Sequence, residues 1–233
     1  MTARPRRAPA FDFESALARA QEEPRGTPAL LLRAAARLFA ERGFDSVRTR
    51  EVAAAARVNV ATLHYHWRDK ATLYQAALRD CDRHVLAFLA SLDKESVQRE
   101  LSLDEQIERW IEWSFDFMTR HPEAVRLRLR WLLQGAPAGV PDDTGREVAL
   151  LRFGASFVES RVAKPDGGEA LLTVLAILYT GMLLFSDSRM QRELLGGSVL
   201  RDAELRARVA SFARDLLRKL FAPAPEPERR RRR

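Results

Sequence analysis

The stretch Thr49–Lys70, TREVAAAARVNVATLHYHWRDK, decides how this chain is read. Its apolar residues Val52, Ala56, Leu63 and Trp67 recur at helical spacing, with no sustained alternation of the kind a strand requires. Arg57-Val58-Asn59 breaks the pattern, and Asn59 is a good cap for a short helix over Val60–Trp67. A short helix, a tight break and a second short helix is helix-turn-helix spacing. In such a unit the second helix packs one face on the first and offers the other to the major groove of a duplex. Leu63 and Trp67 lie on one face, and with Val52, Ala56 and Val58 they are expected to form a small core. The alanine run Ala53–Ala56 permits close approach of the two helices. Val60, Ala61, His64 and Tyr65 then face outward, flanked by Thr62 and His66. Small residues at the helix start let the backbone approach base edges, and hydroxyl and imidazole groups can bond to phosphates or bases.

Outward from this stretch the chain reads as helix nearly throughout. A first helix is expected from Thr27-Pro28, with Leu31, Ala35, Leu38 and Phe39 on its apolar face and Gly43 as its stop. Asp69 can cap a long helix from Lys70 to about Leu92. Later candidates are Asp104–Arg120, Pro122–Gln134, Asp143–Ala163, Glu169–Ser188 and Arg201–Phe221, separated by glycine- and proline-containing turns. Residues 1–26 read as a flexible basic extension; a short helix over Phe13–Glu23 is the alternative there. Residues 222–233 alternate proline with alanine and glutamate and end in five arginines, which predicts a disordered tail.

Residues 28–78, with the run LLRAAARLFAERGFDSVRTREVAAAARVNVATLHYHWRDKATLYQAAL, resemble the DNA-binding domain of the TetR/AcrR family of regulators. The run carries a helix ending in F-x-x-x-G-F, a threonine opening the next helix, and then V-N-x-x-T-L-x-x-H-aromatic-x-x-K-x-x-L. The family often has glycine where this chain has Arg57, at a turn whose positive φ costs a non-glycine residue about 1 kcal/mol, and often tyrosine where it has His64. The resemblance implies DNA contacts at Thr49, Val60, Ala61, Thr62, His64, Tyr65 and His66, and a phosphate contact from Lys70. Arg48 and Arg50 join the set on charge alone. The resemblance also implies a cavity for a small effector among the central helices, and Trp110, Trp113, Phe117, Trp131, Phe153, Phe157 and Tyr179 are the aromatic candidates to line it. It further implies a homodimer built on the last two long helices, with apolar stripes Leu171, Leu175, Leu178, Met182, Phe185 and Phe212, Leu216, Leu220.

Composition bounds the alternatives. Of 233 residues, 46% are hydrophobic and 30% charged, enough for a buried core under a solvated surface. Cys81 is the single cysteine, which excludes an internal disulfide and fits a cytoplasmic protein. Neither a secretory signal nor a convincing membrane span is read from the chain. The net charge of +7 is unevenly placed: residues 27–80 carry nine basic and five acidic residues, whereas residues 81–221 carry twenty and twenty-one. A basic block beside a neutral body points to a polyanion for the block only. His64 and His66, at i and i+2 of a helix, point apart, so no metal is expected, nor any cofactor. A helical enzyme with a DNA-binding head is disfavoured by the lack of a nucleophile–histidine–acid order or phosphate loop. A non-specific DNA-coating protein is the remaining rival. The reading is thus an all-α protein: a three-helix helix-turn-helix domain at 27–80, then a helical effector-binding and dimerisation domain at 81–221. Its partners are an operator duplex, a second copy of itself and a small effector.

Overall fold

The computed structural model describes residues 11–160, 167–185 and 188–221. Among them the regular structure is entirely α-helical: α1 (Phe13–Glu22), α2 (Thr27–Arg42), α3 (Thr49–Ala55), α4 (Val60–Trp67), α5 (Lys70–Arg99), α6 (Leu103–Arg120), α7 (Pro122–Gln134), α8 (Thr144–Glu159), α9 (Gly167–Leu184), α10 (Arg189–Leu195) and α11 (Ala203–Phe221). The arginine tail and Met1–Ala10 lie outside the described residues, as do positions 161–166, where α8 was expected to end. No single helix among the described residues is long and apolar enough to cross a membrane.

Local chemistry sets most boundaries. Asp12, Asn59 and Ser102 accept hydrogen bonds from backbone N–H groups of the helices they precede, which satisfies donors that a first turn otherwise leaves unpaired. Asp69 does the same for Thr72 at the start of α5. Gly26 takes the cap position of α2, and Gly43 ends that helix with φ of 81°. Helix α10 was not foreseen, although its signal is present: Ser188 and Gln191 form a reciprocal capping box.

The chain divides into two compact units, one of Met1–His84 with Arg126–Asp142, the other of Val85–Val125 with Asp143–Arg233. In the first, Leu31, Phe39, Val52, Leu63, Trp67 and Leu73 are fully buried in one core. Phe39, Phe44 and Tyr74 pack edge-on or tilted at 5.1–5.9 Å, and burial pushes the Tyr74 phenol up from its ordinary value. Two features of this unit depart from the 27–80 domain expected. Residues 13–22, expected within a flexible arm, form α1, because Ala16, Leu17 and Ala20 recur at helical spacing and are buried in the same core. Leu127, Trp131 and Val140 are buried there too, so the end of α7 and the loop after it complete the core of the helix-turn-helix unit. Arg128 is buried and paired with Asp82 of α5 at 2.7 Å.

In the second unit, α8 packs on α9, and α11 on both α6 and α9. Phe185 is fully buried with Trp110 and Phe115 against it at 5.5 and 4.6 Å. Gly181 makes that contact possible: a Cβ there would stand 2.9 Å from the Trp110 indole. Arg214 pairs with Glu108, and Arg218 with Asp104 at 2.7 and 3.0 Å, clasping α11 to α6. The arginine hydrogen bonds hold both carboxyls below, and both guanidiniums above, their ordinary values.

Candidate nucleic-acid interface

The α3–α4 pair is held from beneath. Val52, Leu63 and Trp67 are fully buried, Ala53 and Ala56 nearly so, and the Trp67 indole N–H donates to the Pro28 carbonyl of α2 at 3.2 Å. Ala54 and Ala55 are exposed, so only two of the four alanines serve the close approach. The turn between the helices passes through Arg57 at φ 58°, the positive value expected of that position. The Glu51 carboxylate accepts from the Arg48 backbone N–H at 2.8 Å and from the Arg42 guanidinium at 2.9 Å, and both bonds lower its pKa.

With Leu63 and Trp67 turned inward, α4 presents Val60, Ala61, His64 and Tyr65 to solvent. Tyr65 is 81% exposed, an unusual position for an aromatic side chain with no apolar partner beyond a contact with His66. Arg48 and Arg50 are exposed and Thr49 is half-buried. Thr62 and His66 are half-buried at the flanks. The Thr62 backbone N–H and hydroxyl both donate to the Asn59 side-chain oxygen, at 2.8 and 3.0 Å, which leaves the hydroxyl lone pairs as its free capacity. His66 is held below the ordinary imidazole value, first by partial burial and then by the charge of Arg19, so at neutral pH it is uncharged.

Two residues are placed more specifically than sequence could indicate. His64 Nδ1 lies 2.7 Å from the Arg68 carbonyl, and a carbonyl only accepts, so Nδ1 carries the proton. Nε2 is the ring nitrogen left for another partner, and in the Nδ1–H tautomer it is an acceptor. Such a group meets an exocyclic base amine well and a phosphate oxygen poorly. Lys70 does not extend into solvent. Its ammonium donates to the carbonyls of Phe44 and Val47 at 3.1 and 3.2 Å and lies 4.0 Å over the Phe44 ring. It pins the turn that leads into α3, with one proton left for any other acceptor. The signal for this was absent from the sequence, because it depends on the path of residues 44–47.

The aromatic effector candidates are divided between the two units. Trp131 belongs to the helix-turn-helix unit, 6.4 Å from Tyr74. Phe153 and Tyr179 are exposed. Trp110 packs on Phe185, while Trp113 stacks between Phe88 and Phe117 at 4.4 and 5.0 Å. An open cleft of about 310 Å³ lies between α5 and α6, lined by Trp113, Phe88, Leu92, Glu95, Arg109 and Glu112 among others. Of the seven, Trp113 alone lines it.

Comparison with known proteins agrees with this geometry. Residues 31–77, from α2 into α5, match the family model for bacterial regulatory proteins of the tetR family. The chain is 25% identical over 206 residues to the HTH-type transcriptional repressor SCO4008 of Streptomyces coelicolor, covering 85% of this chain and 98% of that one. It is 29% identical over 176 residues to the HTH-type transcriptional regulator RutR of Escherichia coli K12, covering 74% and 79%. Among solved structures, a TetR family transcription regulator from Marinobacter aquaeolei VT8 shares the fold with a TM-score of 0.60 at 22% identity, over 84% of this chain and 97% of that one. A TetR-like regulator from Rhodococcus sp. RHA1 does so with a TM-score of 0.54 at 22% identity, over 84% and 93%. The matched stretch is the one whose packing turns α4 outward: the chain carries a DNA-binding domain of the tetR family of bacterial regulatory proteins.

Proposed function

We propose that this regulator is a repressor that binds a palindromic operator as a homodimer and is released by a small-molecule effector. The observation that carries the reading is the outward face of α4, where Val60, Ala61, His64 and Tyr65 stand exposed over a buried Leu63–Trp67 seam. Arg48, Arg50 and the Thr49 hydroxyl supply phosphate-directed groups beside it, and His64 and Tyr65 supply base-directed ones. One such head makes too few contacts for selective binding, so a two-fold pair reading half-sites about 34–36 Å apart, or a multiple of that, is required.

On α9 the surface that supports pairing differs from the one expected. Met182 and Phe185 are buried, and Leu171 packs toward the α8–α9 core. The exposed stripe of α9 is instead Leu172, Tyr179 and Leu183, 67%, 39% and 59% exposed, whereas on α11 Phe212, part of the expected stripe, is 58% exposed. Exposed apolar side chains at helical spacing on two packed helices favour an interface with a second copy. Tyr179 thus serves better as an interface residue than as an effector contact. For the effector, the α5–α6 cleft, at the low end of ligand-pocket volumes, is the best supported site. This reading has the protein act in the cytoplasm, where its DNA is.

Selection of bound duplexes from random DNA tests the proposal. A recovered sequence with two-fold symmetry is the expected result. Recovery of unrelated sequences would favour a non-specific DNA-coating role.

A further inference from the structure

Helix α1 lies upstream of residues 31–77, the part of the chain that the family model matches. It is nevertheless built into the helix-turn-helix unit. Ala16, Leu17 and Ala20 are buried in the common core, and α1 packs against both α2 and the reading helix α4. Its other contacts go to α5. Glu14 pairs with Arg79, whose guanidinium lies 4.6 Å over the Phe13 ring, and Gln21 donates to Asp80 at 3.2 Å. Both ends of α1 are therefore anchored.

On this fixed helix Arg19 is exposed, and its guanidinium has neither an ion-pair nor a hydrogen-bond partner among the described residues. It differs in this from Arg42, Arg79 and Arg83, which are committed to Glu51, Glu14 and Asp80. Arg19 is also near the flank of α4, close enough for its charge to disfavour a second cation on His66. A guanidinium on a rigid element beside a major-groove helix lies where the sugar–phosphate backbone passes. It needs little further ordering to bind there.

We propose that α1 is a working part of the DNA-binding head and that Arg19 makes a phosphate contact at the flank of the reading helix. This rests on the reading of α4 as the groove-facing helix. A phosphate contact carries no sequence information, so its removal weakens every duplex by about the same factor.

The test uses full-length protein and two labelled duplexes: one recovered by selection with the wild-type chain, and one of random sequence and equal length. Binding is followed by fluorescence anisotropy across a salt series for the wild type, Arg19→Ala, Arg19→Lys and Arg152→Ala. Arg152 is an exposed arginine of α8, in the other unit, and serves as a control for net charge. The expected result is that Arg19→Ala loses affinity equally on both duplexes and lowers the salt slope by about one unit. Arg19→Lys should restore most of both, and Arg152→Ala should change neither. An unchanged slope in Arg19→Ala would overturn the proposal, as would an equal loss in Arg152→Ala. A loss confined to the selected duplex and not rescued by lysine would make Arg19 a structural residue and overturn the contact. Wild-type protein that binds both duplexes equally would instead contradict the operator reading, while the slopes would still decide Arg19.

Discussion

At the scale of single residues, the reading face of α4 is where the account is most exposed to test. Tyr65 has almost no packing to lose, so Tyr65→Ala should leave helicity and thermal stability unchanged while weakening operator binding by about 1–3 kcal/mol. Anisotropy titration beside circular dichroism measures both. Arg57 gives a prediction of the opposite kind. Its φ of 58° is strained for a residue with a Cβ, so Arg57→Gly should raise stability by up to about 1 kcal/mol in urea unfolding. The outward set Val60, Ala61, His64 and Tyr65 was legible in the sequence, because three-and-four spacing fixes which face of a helix is buried once Leu63 and Trp67 are taken as core. The states of individual polar groups were not. The His64 proton position depends on where the Arg68 carbonyl ends up, and the Lys70 ammonium on where residues 44–47 turn.

At the scale of elements, ion pairs do different work according to their burial. Arg128 and Asp82 are both nearly buried and join α7 to α5 within the helix-turn-helix unit. Asp82→Ala removes one partner of this buried pair and should destabilise the protein by about 3–5 kcal/mol, read as a lowered urea midpoint. The α6–α11 clasp is more exposed and titrates instead. Asp104 and Glu108 are held below their ordinary values by Arg218 and Arg214. Their folded forms therefore bind fewer protons than their unfolded forms. The stabilisation they give is present above the ordinary carboxylate range and is lost as pH falls through their lowered values. An acid titration should show wild type losing more stability over that range than Arg214→Ala, Arg218→Ala, which lacks the clasp. Element boundaries were largely readable from caps and stop residues, as α4 and α7 illustrate. Helix α1 was undervalued because the charge and proline around it suggest disorder, while its three buried alanine and leucine positions make only a short apolar stripe.

At the scale of the whole molecule, the division into two units and the exposed stripe of the second bear on assembly. A contiguous domain boundary near residue 80 is what a linear reading expects. The observed first unit instead recruits residues 126–142, a long-range association that no local pattern announces. The same limit applies to the stripe. Periodicity shows that α9 is apolar nearly all round, but which side faces the core is decided by α8 and α11 packing on it. Leu183→Glu and Phe212→Glu each place a carboxylate in the proposed seam and should convert a dimer to monomers in sedimentation equilibrium, with the helix-turn-helix unit still folded.

The central claim is that α4 reads sequence, and the ratio of affinities for a selected operator and for random duplex at one fixed salt concentration tests it most directly. The account predicts a wild-type ratio of about 10³ or more, falling sharply in Tyr65→Ala. A wild-type ratio near one would contradict it.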